Sequence, residues 1–387
     1  MRTTETDIQR LQGQRAKLLS AARRVVIKLG TNTVTDSEGN FSNQRLQAIV
    51  ASIARLKKDG IQVVLVSSGA VGLGRGHLKL HRARTLDMVT RQACAAVGQA
   101  LLMDAYQKLF GAHGINVAQV LLTEDDFIER RRSSNLRQTM EKLLKLGVLP
   151  IVNENDTVST AELEYVGAGP RTRIFSDNDR LAALVTSKID ANALVLLTNV
   201  EGLLQTQGTH QTLIPLVQQI TPELRALASG PSTGGRGGMT TKLEAAEITT
   251  RAGAVAVIAD GRKPDTLTRV FRGEPIGTVF IPAARMPAKR RWIAYAADVR
   301  GRVVVNAGAR DALMGGKASL LWSGVVRVDR EFKPMDVISI ADAEGKEFAR
   351  GIANHGSDGH QQAANGQKPS KASVLVTRDN IVVFESL

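Results

Sequence analysis

The 387-residue chain has one cysteine. That excludes an intrachain disulfide framework, and in the apolar stretch QACAAVGQ Cys94 reads as packing rather than as a nucleophile. No segment reaches the roughly 18 uninterrupted apolar residues of a membrane span, and the N-terminal MRTTETDIQRLQGQRAKLLSAARR lacks the apolar run of a signal peptide. The expected location is therefore cytoplasmic, with no membrane partner. HExxH, GxSxG and Cys/His clusters are missing, which removes the zinc-enzyme and nucleophilic-serine readings. His355 and His360 stand isolated in HGSDGHQQAANGQKPSKA, a stretch with the composition of a loop that cannot build a core. No residue is expected to ligate a metal directly, and no internal repeat is visible.

Of what is present, the 43% hydrophobic content and the length suit two or three globular domains. The formal net charge is +14, which raises a nucleic-acid reading. The excess is uneven. Residues 291–387 carry 13 Lys+Arg against 11 Asp+Glu, net +2, so the first 290 residues hold the remaining +12. Basic runs such as ERRR at Glu129 to Arg132 and AKRR at Ala288 to Arg291 read as solvated faces or linkers. A near-neutral C-terminal part weighs against strong phosphate-backbone binding and so against RNA as the partner.

Up to about residue 280, short β-branched runs alternate with helical periodicity: RVVIKLG, NQRLQAIVASIARLKKDG, IQVVLVSSG, a helix across Leu86 to Leu109, INVAQVLL, a helix over Asn135 to Leu146, VLPIVNEND, DRLAALVTSKI, ALVLLTNV, a helix after Lys242, AVAVIADG and GTVFIP. This is βαβ grammar. The nearly continuous apolar strands predict a three-layer α/β/α fold on a largely parallel sheet covered on both faces. Residues 1–22 form an N-terminal extension with no assignable role, 23–284 the α/β domain, and 285–291 a basic, proline-containing linker. Residues 292–387, with GRVVVNAG, ASLLWSGVVRV, DVISIAD and NIVVF, read as a small β-rich domain.

In doubly wound sheets ligands bind beyond the carboxyl ends of the strands. Here those ends are polar: KLGTNT, SSGAVGLG, NENDTVST and LTNVEGLL, with SDND before an apolar helix. Lys28 inside VVIKLG is expensive to bury without a partner, although a snorkelling lysine at a strand end is the plainer alternative. Gly30 allows backbone N–H groups to approach an anion. GGRGGMTTK, Gly234 to Lys242, is not a GxxxxGK[ST] loop. It reads either as a linker or as a glycine loop entering a helix whose N-terminus and Lys242 favour a phosphate. Two lysines facing a migrating phosphoryl group meet the electrostatic needs of phosphoryl transfer. Asp156 and Asp179, with Asn153, Asn155 and Asn178, suit a polar substrate pocket, and turn chemistry accounts for the same residue types.

Together and in this order, VVIKLGTNTVT, VSSGAVGLG, QACAAVGQ, SSNLRQT, IVNENDTVST, SDNDRLAAL, LLTNVEGLL and GGRGGMTTKLEAAE resemble the glutamate 5-kinases of the amino-acid kinase superfamily over residues 24 to 282. Residues from about 292 resemble the PUA domain. The resemblance implies phosphorylation of the γ-carboxylate of L-glutamate by ATP with Mg2+, the committed step towards proline. It assigns Lys28, Lys242 and Asp179 to catalysis. Ser68, Gly69, Asn153, Asp156 and Asn178 fall to the amino acid, with Asp156 accepting from its α-ammonium and Ser68 and Asn178 fixing a carboxylate or carbonyl oxygen. Lys28, Gly30, Thr198, Asn199 and the run Arg236, Gly237, Gly238, Met239, Thr240, Thr241, Lys242 fall to ATP. It also implies a homo-oligomer (dimer or tetramer), proline as feedback inhibitor and a glutamyl phosphate reductase as partner. The sequence departs from the family pattern in the longer connection AELEYVGAGPRTRIF and in Asn199, where many relatives carry Asp. The alternatives are a kinase of another small acid, or an RNA-binding protein acting through the β-rich domain.

Overall fold

The computed structural model describes residues 5–30, 33, 43–80, 86–158, 178–207, 210–228, 238–316, 318–357 and 374–384. The chain divides into two units, the second beginning at Met286.

In the first unit the order is α1 (Glu5–Ser20), β1 (Arg24–Leu29), α2 (Asn43–Lys58), β2 (Gln62–Ser67), α3 (Ala70–His77), α4 (Met88–Gly111), β3 (Val117–Leu122), α5 (Asp125–Ile128), α6 (Arg130–Lys145), β4 (Leu149–Glu154), α7 (Asn178–Lys188) and β5 (Ala193–Thr198). It continues with β6 (Leu204–Gln207), β7 (His210–Leu213), β8 (Leu216–Val217), α8 (Pro222–Leu227), α9 (Met239–Arg251), β9 (Val255–Asp260), α10 (Thr266–Phe271) and β10 (Thr278–Phe280). The main sheet has the order β3-β4-β2-β1-β5-β9-β10-β8. Strands from β3 to β9 are parallel, whereas β10 reverses against β9 and carries β8 parallel to itself. This is the expected three-layer fold on a largely parallel sheet.

Continuous burial follows from the runs of Val, Ile and Leu. Within β1, Val25 to Leu29 are all buried, and β5 and β9 are buried along their whole lengths, as strands covered on both faces must be. Because β1 lies between β2 and β5, the chain leaves it in one direction for β2 and returns on the other side for β5. The carboxyl ends of these central strands form the crevice at a topological switch point.

Several local features differ from the sequence reading. ERRR is a solvated face, as one of its two readings had it, but a helical one: Arg130 to Arg132 are exposed in the first turn of α6, so that helix starts earlier than expected. The N-terminal stretch contains a helix that is part of the first unit. Leu19 of α1 enters the core, and the buried Arg15 donates to the carbonyls of Gly277 and Ile276 before β10. Burial pulls the Arg15 guanidinium down to about 10. Ala16 also packs where a Cβ on Gly273 would come within 2.5 Å. The hairpin β6–β7 had no apolar alternation to announce it.

The second unit opens with α11 (Ala288–Arg291) and a π turn over Trp292–Ala296. It continues through β11 (Val299–Val305), α12 (Ala307–Met314), β12 (Leu320–Leu321), β13 (Val325–Arg330), β14 (Val337–Ala341), β15 (Glu347–Ile352), β16 (Val374–Val376) and β17 (Ile381–Val383). A five-stranded sheet of order β13-β11-β14-β15-β17 and the pair β12–β16 make it β-rich, as expected. Its core includes Trp322 stacked on Phe332, with ring centroids 6.3 Å apart.

Candidate active site

Strand β1 delivers Lys28 to its carboxyl end, where the side chain is 9% exposed. A buried ammonium needs a counter-ion, and α7 supplies it. Asp179, in the first turn of that helix and fully buried, stands with Oδ1 2.6 Å from Lys28 Nζ. Its other oxygen, Oδ2, accepts from Lys242 Nζ at 3.0 Å. Lys242 comes from the first turn of α9 and is itself buried. Burial alone raises the Asp179 carboxyl, but the two ammonium groups outweigh it and hold the group below the usual carboxylate range. One carboxylate facing two ammonium groups leaves this cluster with a net positive charge, suited to an incoming anion.

The surroundings favour the same ligand. Gly238 caps α9 without a side-chain hydrogen bond, so the helix presents its N-terminal N–H groups beside Lys242. Met239 opens the helix; Thr241 Oγ1 donates to the Gly238 carbonyl at 3.0 Å and Thr240 Oγ1 to that of Ala228 at 3.3 Å. At the end of β5, Thr198 is buried and donates to Asn199 Oδ1 at 3.3 Å, while its carbonyl accepts from Gly261. The Gly30 N–H is committed to the Leu197 carbonyl at 3.1 Å, so it is not the group that meets an anion. What glycine leaves at position 30 is space, since a Cβ there would stand 3.8 Å from Lys28 Nζ. Arg236 and Gly237 lie outside the described residues, as does AELEYVGAGPRTRIF.

A neutral half adjoins the ionic one. Asn178, the residue before Asp179, donates through Nδ2 to Ser68 Oγ at 2.8 Å and to Asn153 Oδ1 at 3.0 Å, with the Ser67 carbonyl at 3.5 Å. Asn153, buried at the end of β4, donates in turn to Gln99 Oε1 at 3.0 Å. Gln99 donates to Gln119 Oε1 of β3 at 3.3 Å. Ser68 follows β2, and its N–H is tied to the Leu29 carbonyl. Gly69, at φ 113°, turns the chain from there into α3. Asp156 is half-buried in the turn after β4.

Two of these partners were not legible as site residues. Gln99 ends the QACAAVGQ motif but had no role, and Gln119 sat unremarked in INVAQVLL. Tyr106, two turns beyond Gln99 on α4, places its hydroxyl 2.7 Å from Ser67 Oγ, and burial pushes that phenol well above its ordinary value. Helix α4 can approach only because of two glycines. A Cβ on Gly98 would fall 1.7 Å from the Ala70 carbonyl oxygen, and one on Gly74 1.8 Å from that of Cys94. Cys94 is buried at this crossing, in keeping with a packing role.

The buried lysine–aspartate–lysine cluster lies at the switch point of a largely parallel sheet, and the chain belongs to the amino acid kinase family, whose model it matches over residues 23–260. Residues 301–370 match the PUA domain model. Relatives matching nearly the whole chain narrow the class. It is 43% identical over 379 residues to a glutamate 5-kinase of Myxococcus xanthus, covering 95% of this chain and 97% of that one. With a glutamate 5-kinase of Moorella thermoacetica the identity is 43% over 380 residues, and the coverage again 95% and 97%. A glutamate 5-kinase of Citrifermentans bemidjiense is 40% identical over 384 residues, covering 96% and 100%. The chain belongs to the glutamate 5-kinase family, with a C-terminal PUA domain.

Proposed function

We propose that the chain transfers the γ-phosphoryl group of ATP to the γ-carboxylate of L-glutamate, giving L-glutamyl 5-phosphate and ADP, the first step of proline biosynthesis. The observation that carries this reading is the convergence of Lys28 and Lys242 on Asp179 at the carboxyl ends of the central strands. A γ-carboxylate oxygen forms the new bond to phosphorus as the bond to the β,γ-bridging oxygen breaks, and the electron pair leaves with ADP. The acceptor is already ionised, so no general base is required. Catalysis then rests on position and on positive charge aimed at the migrating group.

In this reading Asp179 holds both ammonium groups in place without spending them, because two cations share one anion. Lys28 and Lys242 meet the phosphates, with Thr198, Asn199 and the start of α9 beside the nucleotide. Mg2+, entering with the substrate phosphates rather than on a protein carboxylate cluster, would supply further positive charge to the phosphates beside Lys28 and Lys242. Ser68, Gly69, Asn153, Asp156 and Asn178 receive the amino acid. A labile acyl phosphate suits capture by a reductase. Proline inhibition and assembly into a homo-oligomer are further parts of the proposal, tested by proline titration and by light scattering.

The direct test is ATP- and Mg2+-dependent hydroxamate formation in the presence of hydroxylamine, with L-glutamate compared against N-acetyl-L-glutamate, L-aspartate and no acceptor. Signal restricted to L-glutamate supports the reading. Signal with another acid retains the kinase and discards the substrate, and no signal with any acceptor rejects the acyl-phosphate chemistry.

A further inference from the structure

Charge ties helix α9 to its neighbours along its first turns. Lys242 reaches Asp179 of α7, Glu244 pairs with Arg180 of α7, and Glu247 pairs with Arg225 of α8 and with Arg251 of α9 itself. Asp179 and Arg180 are consecutive on α7, so the active-site contact between the two helices has a second contact immediately beside it.

The two contacts face different demands. Asp179 Oδ2 accepts from Lys242 Nζ at 3.0 Å. A lysine that follows the oxygens of a migrating phosphoryl group turns some of its N–H donors towards them, and so loosens its hold on Asp179 as the transition state forms. Arg180 and Glu244 have no such second task in the reading above, and their contact persists through the transfer. Burial divides the pair as well, since the Arg180 side chain is 7% exposed and that of Glu244 41%. A guanidinium at that depth needs its carboxylate, whereas water can meet the carboxylate alone.

We infer that Arg180 and Glu244 are positioning residues for phosphoryl transfer: their ion pair keeps α9 registered on α7 while Lys242 trades its contact with Asp179 for one with the migrating phosphoryl group. The inference deepens the phosphoryl-transfer reading above and rests on it. Its kinetic mark follows from when the pair is needed. A contact that matters only as the transition state forms acts on kcat rather than on KM.

The test uses the full chain and the double variant Arg180→Met with Glu244→Ala, which removes the pair without leaving a buried charge behind. Single-turnover transfer to L-glutamate at saturating ATP should slow about tenfold, within the loss of up to about 10² that a misplacement of about 1 Å brings. KM for ATP and KM for L-glutamate should each stay within about twofold, because Lys242 remains tied to Asp179 before transfer begins. In a Lys242→Ala background the same double substitution should slow transfer by less than about twofold more, since the group it positions is already gone.

A full tenfold loss in the Lys242→Ala background overturns the inference, because the pair then supports the site without reference to that lysine. A parental rate in the double variant overturns it too, whatever the urea midpoint, and leaves the pair to the fold alone. Should the double variant fail to fold, Arg180→Met decides by the same comparisons, because the carboxylate it strands is partly exposed. The parent enzyme separates this from the broader reading. If the parent does not phosphorylate L-glutamate, the proposed function fails; if it does, Lys242→Ala is slow and the pair acts independently of Lys242, only the positioning role fails.

Discussion

Asn178 and Asp179 are neighbours in sequence, yet their side chains enter opposite halves of the crevice. Asp179 faces two ammonium groups, and Asn178 faces a hydroxyl and an amide. The ionic half acts by the amount of charge it concentrates, and a carboxylate between two lysines tolerates small changes of angle. The neutral half acts by direction, because an amide turned over has the same shape and the opposite meaning. One helix start therefore supplies both the force on the phosphoryl group and the discrimination of the amino acid.

The sharpest way to break the comparison is to make the two residues alike. Asp179→Asn leaves two buried ammonium groups without their anion, and breaking a buried pair in this way costs about 3–5 kcal/mol. The effect depends on pH, with a definite sign. The carboxyl is held below the usual range in the folded state, so its contribution is fully present above the unfolded pKa of about 3.9 and is lost as pH falls through the lower folded value. Urea unfolding of parent and variant should show a constant difference from pH 7 down to about pH 5, narrowing below about pH 4. A difference that persists unchanged at pH 3 contradicts the charge assignment.

Removing a cation instead of the anion shifts the loss from stability to turnover. Lys242→Ala and Lys28→Ala should each lower kcat by about 10² to 10³, in line with the loss of one preorganised group that stabilises transition-state charge. Single-turnover phosphoryl transfer measures this directly, and near-parental turnover in either variant removes that lysine from the mechanism.

The ionic half was largely legible in the sequence. Lys28 is conspicuous because a lysine in VVIKLG has to find an anion, and SDND before an apolar helix offers one. The fold was legible for a related reason, since strands buried on both faces read as unbroken apolar runs. The neutral half was only partly legible. Asn153 and Asn178 lie in polar strand ends, but Gln99 and Tyr106 matter through a spacing of seven residues on one face of α4 and through what β2, β3 and β4 bring opposite them. Glutamine is common on solvated helices, and nothing local distinguishes Gln99. Helix α1 was missed because its polar sequence conceals a few anchoring contacts, Leu19 and Arg15 among them.

The closeness of α4 to α3 makes a third test. Gly98→Ala forces a methyl into the Ala70 carbonyl, one residue from Gly69 and two from Ser68. Overpacking of this kind costs about 1–3 kcal/mol. Because α4 also carries Gln99, the displacement should raise KM for L-glutamate more than KM for ATP. Equal changes in both constants show that the crossing supports the fold alone and does not align the neutral half.

The smallest expected effect is also the one that best separates the halves. Asn178→Ala removes a side chain proposed to receive the amino acid and releases Ser68 and Asn153 from their common donor, while the charge of the site stays the same. KM for L-glutamate should rise about tenfold, with KM for ATP unchanged within about twofold. Its stability difference from the parent should be the same at pH 7 and pH 3.5, since an uncharged side chain is lost from both protonation states of the protein equally. Set beside Asp179→Asn, measured in the same urea series, a flat profile for one residue and an acid-sensitive profile for the next show that adjacent positions on α7 do their work through different physics. Parallel profiles show instead that Asn178 acts by holding the ionic cluster, and the division of the crevice into two halves is then wrong.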